Sequence, residues 1–365
     1  MNENLAHLAF KSENTLGRAL PPEEDRDFSL YDWMDPYDID KIKLDYSKAI
    51  RRLRGKTQVL SGSKNMHTRD RLIHSIEVMA LSGQTGHKLK LNVLLLIASA
   101  LCHDFGHVIL GHLGEAFIAE RLDDNFRHEK FVIFVLEMIE RDGKGLNLSY
   151  EILHAIRYHS RGSGKMTKSG QTLEDDLLMY CDKLSYIFSD FNDIMRINFP
   201  GLTVPDELNK LGGNQTERLY KCARALCFES IEKQAISFED SEEARYFKVV
   251  RDFMYDEVYH KIDRSHLKDM LNRIFDFFER YYKNPRLSAL TMALMSEEGA
   301  YTLNGLIGNF SDNFIMNKLK DEAQFAIAEF LPSIPKWAEL DFCNPDRFLD
   351  KKNFGKVPKL ELFSR

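Results

Sequence analysis

The segment 100–116 reads ALCHDFGHVILGHLGEA and begins where an apolar run over residues 93–102 ends. A run of that length is too short to cross a bilayer, which needs about 20 apolar residues. It is typical of a buried helix, and this helix would end at the doublet His103–Asp104. Because the last turn of a helix can splay two neighbouring side chains, we expect this histidine and aspartate to approach one ion together.

Apolar residues recur at helical spacing on both sides of this segment. Ile133, Leu136 and Ile139 form one such series, and Ile152, Ile156 and His159 form another. The stretches 247–259 and 267–282 repeat the pattern, whereas runs of alternating β-branched residues are almost absent. The sequence therefore predicts an all-α fold.

Proline and glycine divide the chain into four predicted parts. Residues 1–37 read as an irregular N-terminal arm, 38–215 as the core that carries the chemistry, and 332–365 as a C-terminal tail. Residues 216–331 are predicted to be helical, and they either complete the core or form an oligomer interface. Two exposed loops are expected over 161–171, which reads RGSGKMTKSGQ, and over 198–214.

Four residues on three predicted helices form a candidate metal site. His74 precedes the long apolar helix, His103 and Asp104 end it, and Asp182 follows on a third helix. Each of these residues taken alone would most simply be a core histidine or a salt-bridge partner, and the signal lies in their order. Imidazoles and carboxylates together suit a first-row or hard divalent ion, with positions left for water and a phosphate oxygen.

Further polar residues surround this set. His107 follows His103 by one helical turn, and His112 and Glu115 are three residues apart, so that helical geometry would make them neighbours. A histidine beside a carboxylate is a general acid–base arrangement with a raised imidazole pKa. Arg71 and Lys183 could offset charge on phosphate oxygens, which favours a phosphohydrolase.

The composition argues against several other classes of protein. The net charge of −6 lacks the basic excess that is typical of a nucleic-acid-binding domain. The five cysteines are odd in number and none has CxxC spacing, which favours a reducing compartment over a disulfide-rich secreted fold. The first residues, MNENLAHLAFKSEN, do not resemble a signal peptide. We therefore expect a cytoplasmic protein without a membrane partner.

Several segments together resemble the HD-superfamily deoxynucleoside triphosphate triphosphohydrolases, which include bacterial dGTPases and the mammalian SAM-and-HD-domain dNTPase. The resemblance covers about residues 38 to 315 and is most specific between 49 and 193. The matching segments are AIRRLRGKTQV (49–59), TRDRLIHSIEV (68–78), ALCHDFGHVILGHLGEA (100–116), FRHEK (126–130) and CDKLSYIFSDFND (181–193), with weaker matches in FMYDEVY (253–259) and LIGNFSDNF (306–314).

The resemblance implies an HD-domain helical fold extended by additional C-terminal helices, and cleavage of a dNTP to deoxynucleoside and inorganic triphosphate. It implies a divalent metal ion, most simply Mn²⁺ or Mg²⁺, with Fe²⁺, Ni²⁺ or Zn²⁺ as alternatives. From the same resemblance we expect a homo-oligomer and a nucleotide effector. The implied metal ligands are His74, His103, Asp104 and Asp182. The implied acid–base and triphosphate positions are His112, Glu115 and His128, and the implied substrate contacts are Arg71, Lys183, Tyr186 and Asp190, the last to the sugar 3′-hydroxyl.

Three positions depart from the family pattern. Arg54 stands where the family usually has a glutamine that holds the 3′-hydroxyl, and an arginine offers no acceptor. Arg54 is therefore predicted to contact a phosphate or carboxylate of the substrate. Ile109–Leu110 replace a Pro-Phe pair after the HD block, and Asn313 replaces an arginine. These changes leave the metal ligands in place and affect the identity of the substrate.

Two other functions fit the same residues. One is an HD phosphohydrolase that acts on a nucleoside monophosphate, a cyclic nucleotide or another modified nucleotide, and product analysis would distinguish it. The other is a catalytically silent regulator that binds nucleotides or nucleic acid. For this second function, the basic clusters at 48–56 and 157–168 are the candidate phosphate contacts, and salt-dependent binding would reveal it.

Overall fold

A computed structural model describes residues 3–61, 65, 67–160, 172–197, 199–322 and 325–345. Within these ranges every regular element is helical and no strand forms, which confirms the predicted all-α fold. The predicted loop 161–171, the first residue of the loop 198–214 and the tail beyond residue 345 lie outside the described residues. In the described part of the chain, no helix combines the length and apolar character that a bilayer crossing would need.

Helix α8, the longest in the described residues, and helix α3 carry two of the predicted ligands. Short 3₁₀ turns precede α1, and π-helical segments continue α6 over Val135–Ile139 and α11 over Met254–Tyr259. The α-helices are α1 (Pro36–Asp45), α2 (Lys48–Arg52), α3 (Arg71–Leu89), α4 (Val93–Cys102), α5 (His112–Arg121), α6 (His128–Phe134), α7 (Tyr150–Tyr158), α8 (Leu173–Arg196), α9 (Asp206–Leu211), α10 (Gln215–Lys233), α11 (Glu242–Phe253), α12 (Ser265–Tyr282), α13 (Pro285–Leu294), α14 (Glu297–Leu306), α15 (Asp312–Asp321) and α16 (Ile334–Trp337).

Side-chain caps fix where the three ligand-bearing helices begin. The carboxylate of Asp70 accepts a hydrogen bond from the Ile73 amide at the start of α3. Asn92 caps α4 in the same way, and Thr172 caps α8. Such caps satisfy amides that have no partner within the helix and stabilise its first turn by roughly 1 kcal/mol. The caps therefore fix the register of the helices on which the ligands lie.

Helices α3, α4 and α8 pack against one another at the centre of the molecule. Helix α4 is buried over Leu95, Leu96 and Leu101, as expected for the apolar run. Its two sides belong to two hydrophobic clusters, because Leu101 lies in one cluster and Leu96 in the other. The site thus lies between the two parts of the core.

The C-terminal helices contribute to both clusters. Helices α10 and α11 pack on α8 through Leu226 and Phe247, and α12 and α13 pack beside α5 through Phe275 and Leu290. Residues before and after 215 therefore share the same buried surfaces. The division of the chain at residue 215 stays a prediction.

The N-terminal arm is held by buried polar contacts. The Leu16 amide donates to the carboxylate of Glu151 over 2.7 Å. The ammonium of Lys43 lies 2.5 Å from a carboxylate oxygen of Asp25, and Arg18 pairs with Asp40, with every one of these four side chains buried. The arm has little regular structure before the first α-helix begins at Pro36, and it is nevertheless part of the packed interior.

Gly106, in the turn after α4, lies directly against the backbone of α6. A Cβ atom at this position would lie 2.2 Å from the His128 carbonyl oxygen and 2.4 Å from the Val132 amide nitrogen. Real Cβ atoms essentially never approach so closely, and backbone atoms cannot rotate away. The absence of a side chain at residue 106 thus sets the distance between the His103–Asp104 turn and the helix that begins at His128.

Gly106→Ala is expected to lower the free energy of unfolding by about 1–3 kcal/mol, the usual cost of overpacking. Gly305→Ala is the matched control, because Gly305 is exposed on α14 with open space around its missing Cβ. Alanine in a helix is up to about 1 kcal/mol more favourable than glycine, so this control should be neutral or stabilising. Chemical denaturation of both variants measures the difference, and equal stability would contradict the close approach.

Candidate metal centre

The four predicted ligands converge at the meeting point of α3, α4 and α8. The Nε2 atom of His74 lies 3.0 Å from a carboxylate oxygen of Asp182 and 3.8 Å from one of Asp104. The Nε2 atom of His103 lies 3.5 Å from Asp104 and 3.6 Å from Asp182. Two ligands of one ion are roughly 3 to 4 Å apart, because each lies about 2.1 Å from the metal. These spacings fit a single divalent ion.

Local hydrogen bonds orient the ligand atoms. The Nδ1–H of His103 points to the carbonyl oxygen of Ala100 at 2.7 Å, which directs Nε2 toward the two aspartates. This buried Nε2 atom has no hydrogen-bond partner among the described residues. A histidine that donates one ring N–H to a backbone carbonyl and presents the other nitrogen is the usual arrangement of a metal ligand. The donor set therefore fits a metal.

The electrostatics of the cluster favour bound cations. Burial alone would raise the pKa of Asp104 and Asp182, but the neighbouring histidines and, at Asp104, Arg71 outweigh it and hold both pKa values well below the usual range. Burial lowers the pKa of His103, and the two carboxylates overcome this and raise the pKa to about 9. The cluster thus consists of two ionised carboxylates with imidazoles drawn to them, and a metal ion would compete with protons for the same positions.

Two predicted cations lie beside the cluster. The guanidinium of Arg71, at the start of α3, donates to a carboxylate oxygen of Asp104 over 2.7 Å. Lys183 follows Asp182 on α8, is buried, and lines the same cavity. Both lie where their charge can reach an anion held next to the ligands.

A second group of histidines adjoins the ligands. The imidazole of His107 stacks on that of His128 with ring centroids 3.9 Å apart, and its Nε2 lies 3.1 Å from a carboxylate oxygen of Asp104. The Nδ1 of His128 lies 2.7 Å from Glu115, whereas the Nδ1 of His112 is 3.7 Å from it. Glu115 is therefore paired more closely with His128 than with His112, the neighbour expected from helical spacing. The side chain of His112 is 72% exposed at the start of α5.

The pair His128–Glu115 has the charge distribution of a proton donor. Burial lowers the pKa of His128, but the charge of Glu115 and its hydrogen bond outweigh this and raise the pKa. The pKa of Glu115 lies well below its usual range, because His128 and His112 overcome the effect of burial. The opposite holds for His107, whose pKa is lowered well below normal by burial and by the charges of Arg71 and His128. The pKa values of these two stacked imidazoles are therefore shifted in opposite directions.

His159, at the end of α7, belongs to the same cluster but was not predicted as a site residue. Its ring centroid lies 5.0 Å from that of His103 and 5.5 Å from that of His128. Its Nδ1 lies 2.6 Å from the Ile156 carbonyl oxygen, and burial lowers its pKa to about 3. The sequence signal was weak, since His159 lies on the apolar face of a helix, where most histidines are core residues.

Three of the four candidate ligands, His74, Asp104 and Asp182, line one cavity of about 510 Å³ together with His107, His112, His128 and His159. On its other side, the hydroxyl groups of Tyr186 and Tyr255 are 2.8 Å apart, and Tyr259 donates to Asp190 over 2.9 Å. Asp190 also accepts from Arg69. Tyr186 and Asp190 were predicted substrate contacts, whereas Tyr255 and Tyr259 lie on the π-helical segment, which places both side chains in the cavity wall.

Two of the residues that depart from the family pattern, Arg54 and Asn313, do not line the cavity. Both are exposed, so that the predicted contact of Arg54 with substrate stays a prediction. Gln58 lines the cavity instead, and its buried side-chain oxygen has no partner among the described residues. Arg127 and Arg264 also line it, and neither was predicted.

Comparison with known proteins is consistent with this geometry. Residues 71–187 match the family described as HD domain, and this range contains the four ligands and His128. A deoxyguanosinetriphosphate triphosphohydrolase-like protein of Clostridium tetani is 33% identical over 320 residues, which are 84% of this chain and 89% of the relative. A protein of the same description from Caldanaerobacter subterraneus is 32% identical and covers 87% of this chain and 91% of its own length.

A third relative, from Clostridium perfringens, bears the same description and is 29% identical over 77% of this chain and 84% of its own length. The similarity thus extends well beyond the HD segment into the C-terminal helices. The chain belongs to the family of the deoxyguanosinetriphosphate triphosphohydrolase-like proteins, which are hydrolases of the HD-domain superfamily.

Proposed function

We propose that this protein is a metal-dependent hydrolase that cleaves a deoxynucleoside triphosphate, such as dGTP, into deoxynucleoside and inorganic triphosphate. The observation that carries the proposal is the position of the cluster of His74, His103, Asp104 and Asp182 beside the buried His128–Glu115 pair, at one cavity that all of these residues except His103 line. The description of the relatives as deoxyguanosinetriphosphate triphosphohydrolase-like supports the choice of a deoxynucleoside triphosphate as substrate.

His74, His103, Asp104 and Asp182 would hold the metal, for which we propose Mn²⁺ or Mg²⁺. Such an ion polarises a phosphoryl oxygen and lowers the pKa of bound water toward neutrality. Asp104 is held by Arg71 and His107, so that its carboxylate keeps one orientation. Loss of a residue that holds a metal ligand in this way commonly lowers the metal affinity by about tenfold to a hundredfold.

The cations of the cavity wall bind the triphosphate. Arg71 and Lys183 lie next to the ligands, and Arg127 and Arg264 lie farther along the wall. An arginine can bind a phosphate through two parallel hydrogen bonds, whereas a lysine acts as a point charge. Together they offset the charge of a polyphosphate, which phosphoryl transfer requires.

His128 acts as the general acid. Its Nδ1 is held by Glu115, so that its Nε2 carries the proton to be transferred. Water attacks the α-phosphorus, the bond from that phosphorus to the 5′-oxygen breaks, and His128 gives its Nε2 proton to the 5′-oxygen. His112, exposed at the start of α5, is placed to contact the triphosphate rather than to replace His128.

The wall of tyrosines receives the nucleoside. Asp190 accepts hydrogen bonds and would read the 3′-hydroxyl, with Tyr259 and Arg69 fixing its carboxylate. Gln58 offers an unpartnered acceptor in the same cavity. A homo-oligomer and a nucleotide effector stay predictions for this protein.

The direct test is incubation of the purified protein with each dNTP and with their mixture, in Mg²⁺ or Mn²⁺, followed by chromatography. Equal amounts of deoxynucleoside and triphosphate would support the proposal. Release of phosphate or pyrophosphate would instead identify another HD phosphohydrolase activity. Metal binding without turnover of any dNTP, alone or mixed, would contradict it.

His103→Ala is expected to lower dNTP turnover by more than about a hundredfold, because loss of even an outer partner of a metal ligand costs up to that factor. Metal content, measured by elemental analysis, should fall in parallel. His260→Ala is the matched control, since His260 is exposed and lies outside the cavity wall. Wild-type turnover and metal content in the His103 variant would show that the ligand assignment is wrong.

Glu115→Gln is expected to shift the alkaline limb of the kcat/KM profile to lower pH. The reason is that the charge of Glu115 raises the pKa of His128, and the protonated form of His128 is lost as pH rises through that pKa. Glu120→Gln, on the exposed face of the same helix, is the control. An unshifted limb in the Glu115 variant would exclude His128 as the acid.

A further inference from the structure

Glu297 is a buried carboxylate that lies behind the cavity wall, in the first turn of α14, with 4% of its surface exposed. It accepts three hydrogen bonds from two distant segments. The amide and the hydroxyl of Thr57 donate to it over 2.7 and 2.6 Å, and the amide of Leu110 donates over 2.9 Å. One side chain of the C-terminal helices therefore joins the segment before α3 to the turn before α5.

The turn that Glu297 holds has an unfavourable backbone conformation. Leu110 has a φ of 59° and Gly111 a φ of 56°. A left-handed conformation costs a leucine about 1–2 kcal/mol, so it persists only where surrounding contacts enforce it. The hydrogen bond from the Leu110 amide to Glu297 is such a contact. Leu110 itself lines the cavity, so the conformation of this turn shapes the site.

The same turn joins residues of the proposed chemistry. It begins at His107, which stacks on His128, and ends at His112. Lys56, next to Thr57, donates from its buried ammonium to the His107 carbonyl oxygen over 2.5 Å, and its own carbonyl accepts from the Arg71 amide. A Cβ at Gly111 would lie 2.8 Å from the guanidinium of Arg71. A shift of either segment would therefore move Arg71 and His107 relative to the ligands.

We propose that Glu297 is a positioning residue for the hydrolysis: its carboxylate fixes the segments 56–58 and 107–112 and thereby places Arg71, His107 and His128 relative to one another. This inference rests on the proposed function. It assigns a part in the site to α14, although no described residue after Arg264 lines the cavity.

Glu297→Ala tests the proposal, with Glu298→Ala as the matched control. Both residues are acidic and lie in the first turn of α14, so that each loss weakens the interaction with the helix dipole equally, but Glu298 is exposed. The Glu297 variant should lose about ten- to a hundredfold in kcat, the range that a displacement of about 1 Å can cause. KM for the dNTP should change much less, and the control should match the wild type in both constants.

Hydrogen–deuterium exchange provides a readout that does not need activity. In the Glu297→Ala variant, exchange of the peptide covering 107–113 should increase, because the Leu110 amide loses its acceptor. In the Glu298→Ala variant it should stay at the wild-type rate. If the wild type hydrolysed no dNTP, the proposed function would fail, and this exchange comparison would still test whether Glu297 holds the turn.

Two conservative variants keep the test decisive if Glu297→Ala fails to fold. Glu297→Asp retains the charge but shortens the side chain by one methylene, so that kcat should fall and exchange should rise. Glu297→Gln retains the oxygen that accepts from Thr57 and Leu110, and its amide can donate to the Thr57 hydroxyl, so that kcat should return to near the wild-type value. Wild-type kcat and exchange in the Asp variant would overturn the proposal.

Discussion

Two neighbouring carboxylates, the buried Asp104 and Asp182 with only 16% of its side chain exposed, impose the main constraint on this molecule. An isolated buried carboxylate is very costly, and two of them close together repel each other. The surrounding groups answer that constraint: His74 and His103 approach both, Arg71 and His107 hold Asp104, and the helices that carry them pack directly on one another. A divalent cation suits the position between these two carboxylates. The imidazole of His107 lies between Asp104 and His128 of the acid–base pair.

The convergence of the four candidate ligands could be predicted from the sequence because the signal is local. His103 and Asp104 are adjacent at the end of an apolar helix, and His74 and Asp182 lie within segments whose residue order is recognisable. The pairing within the acid–base group was less accessible. Helical spacing favoured His112 as the partner of Glu115, but α6 brings His128 closer, and that approach depends on how Gly106 packs against the α6 backbone.

Other parts of the site have no local signal. His159 looks like a core residue in its helix and becomes part of the cluster only when α7 packs beside α4. Tyr255 and Tyr259 reach the cavity from a π-helical segment, a form that periodicity does not reveal. Glu297 is separated from Thr57 by 240 residues, so only the tertiary structure shows their contact. The sequence thus predicts which chemistry is present better than which residues hold it in place.

The N-terminal arm bears on how the chain can be shortened. Its residues Arg18 and Asp25 neutralise Asp40 and Lys43, which are buried under the arm on α1. Deleting the arm would remove the opposite charge from each of these groups, and a charge that stays buried without its partner typically costs about 3–5 kcal/mol. A minimal fragment that begins at the first α-helix would therefore contain Asp40 and Lys43 without Arg18 and Asp25, the oppositely charged residues that pair with them. Such a truncation should therefore be combined with substitution of Asp40 and Lys43 by apolar residues of similar volume.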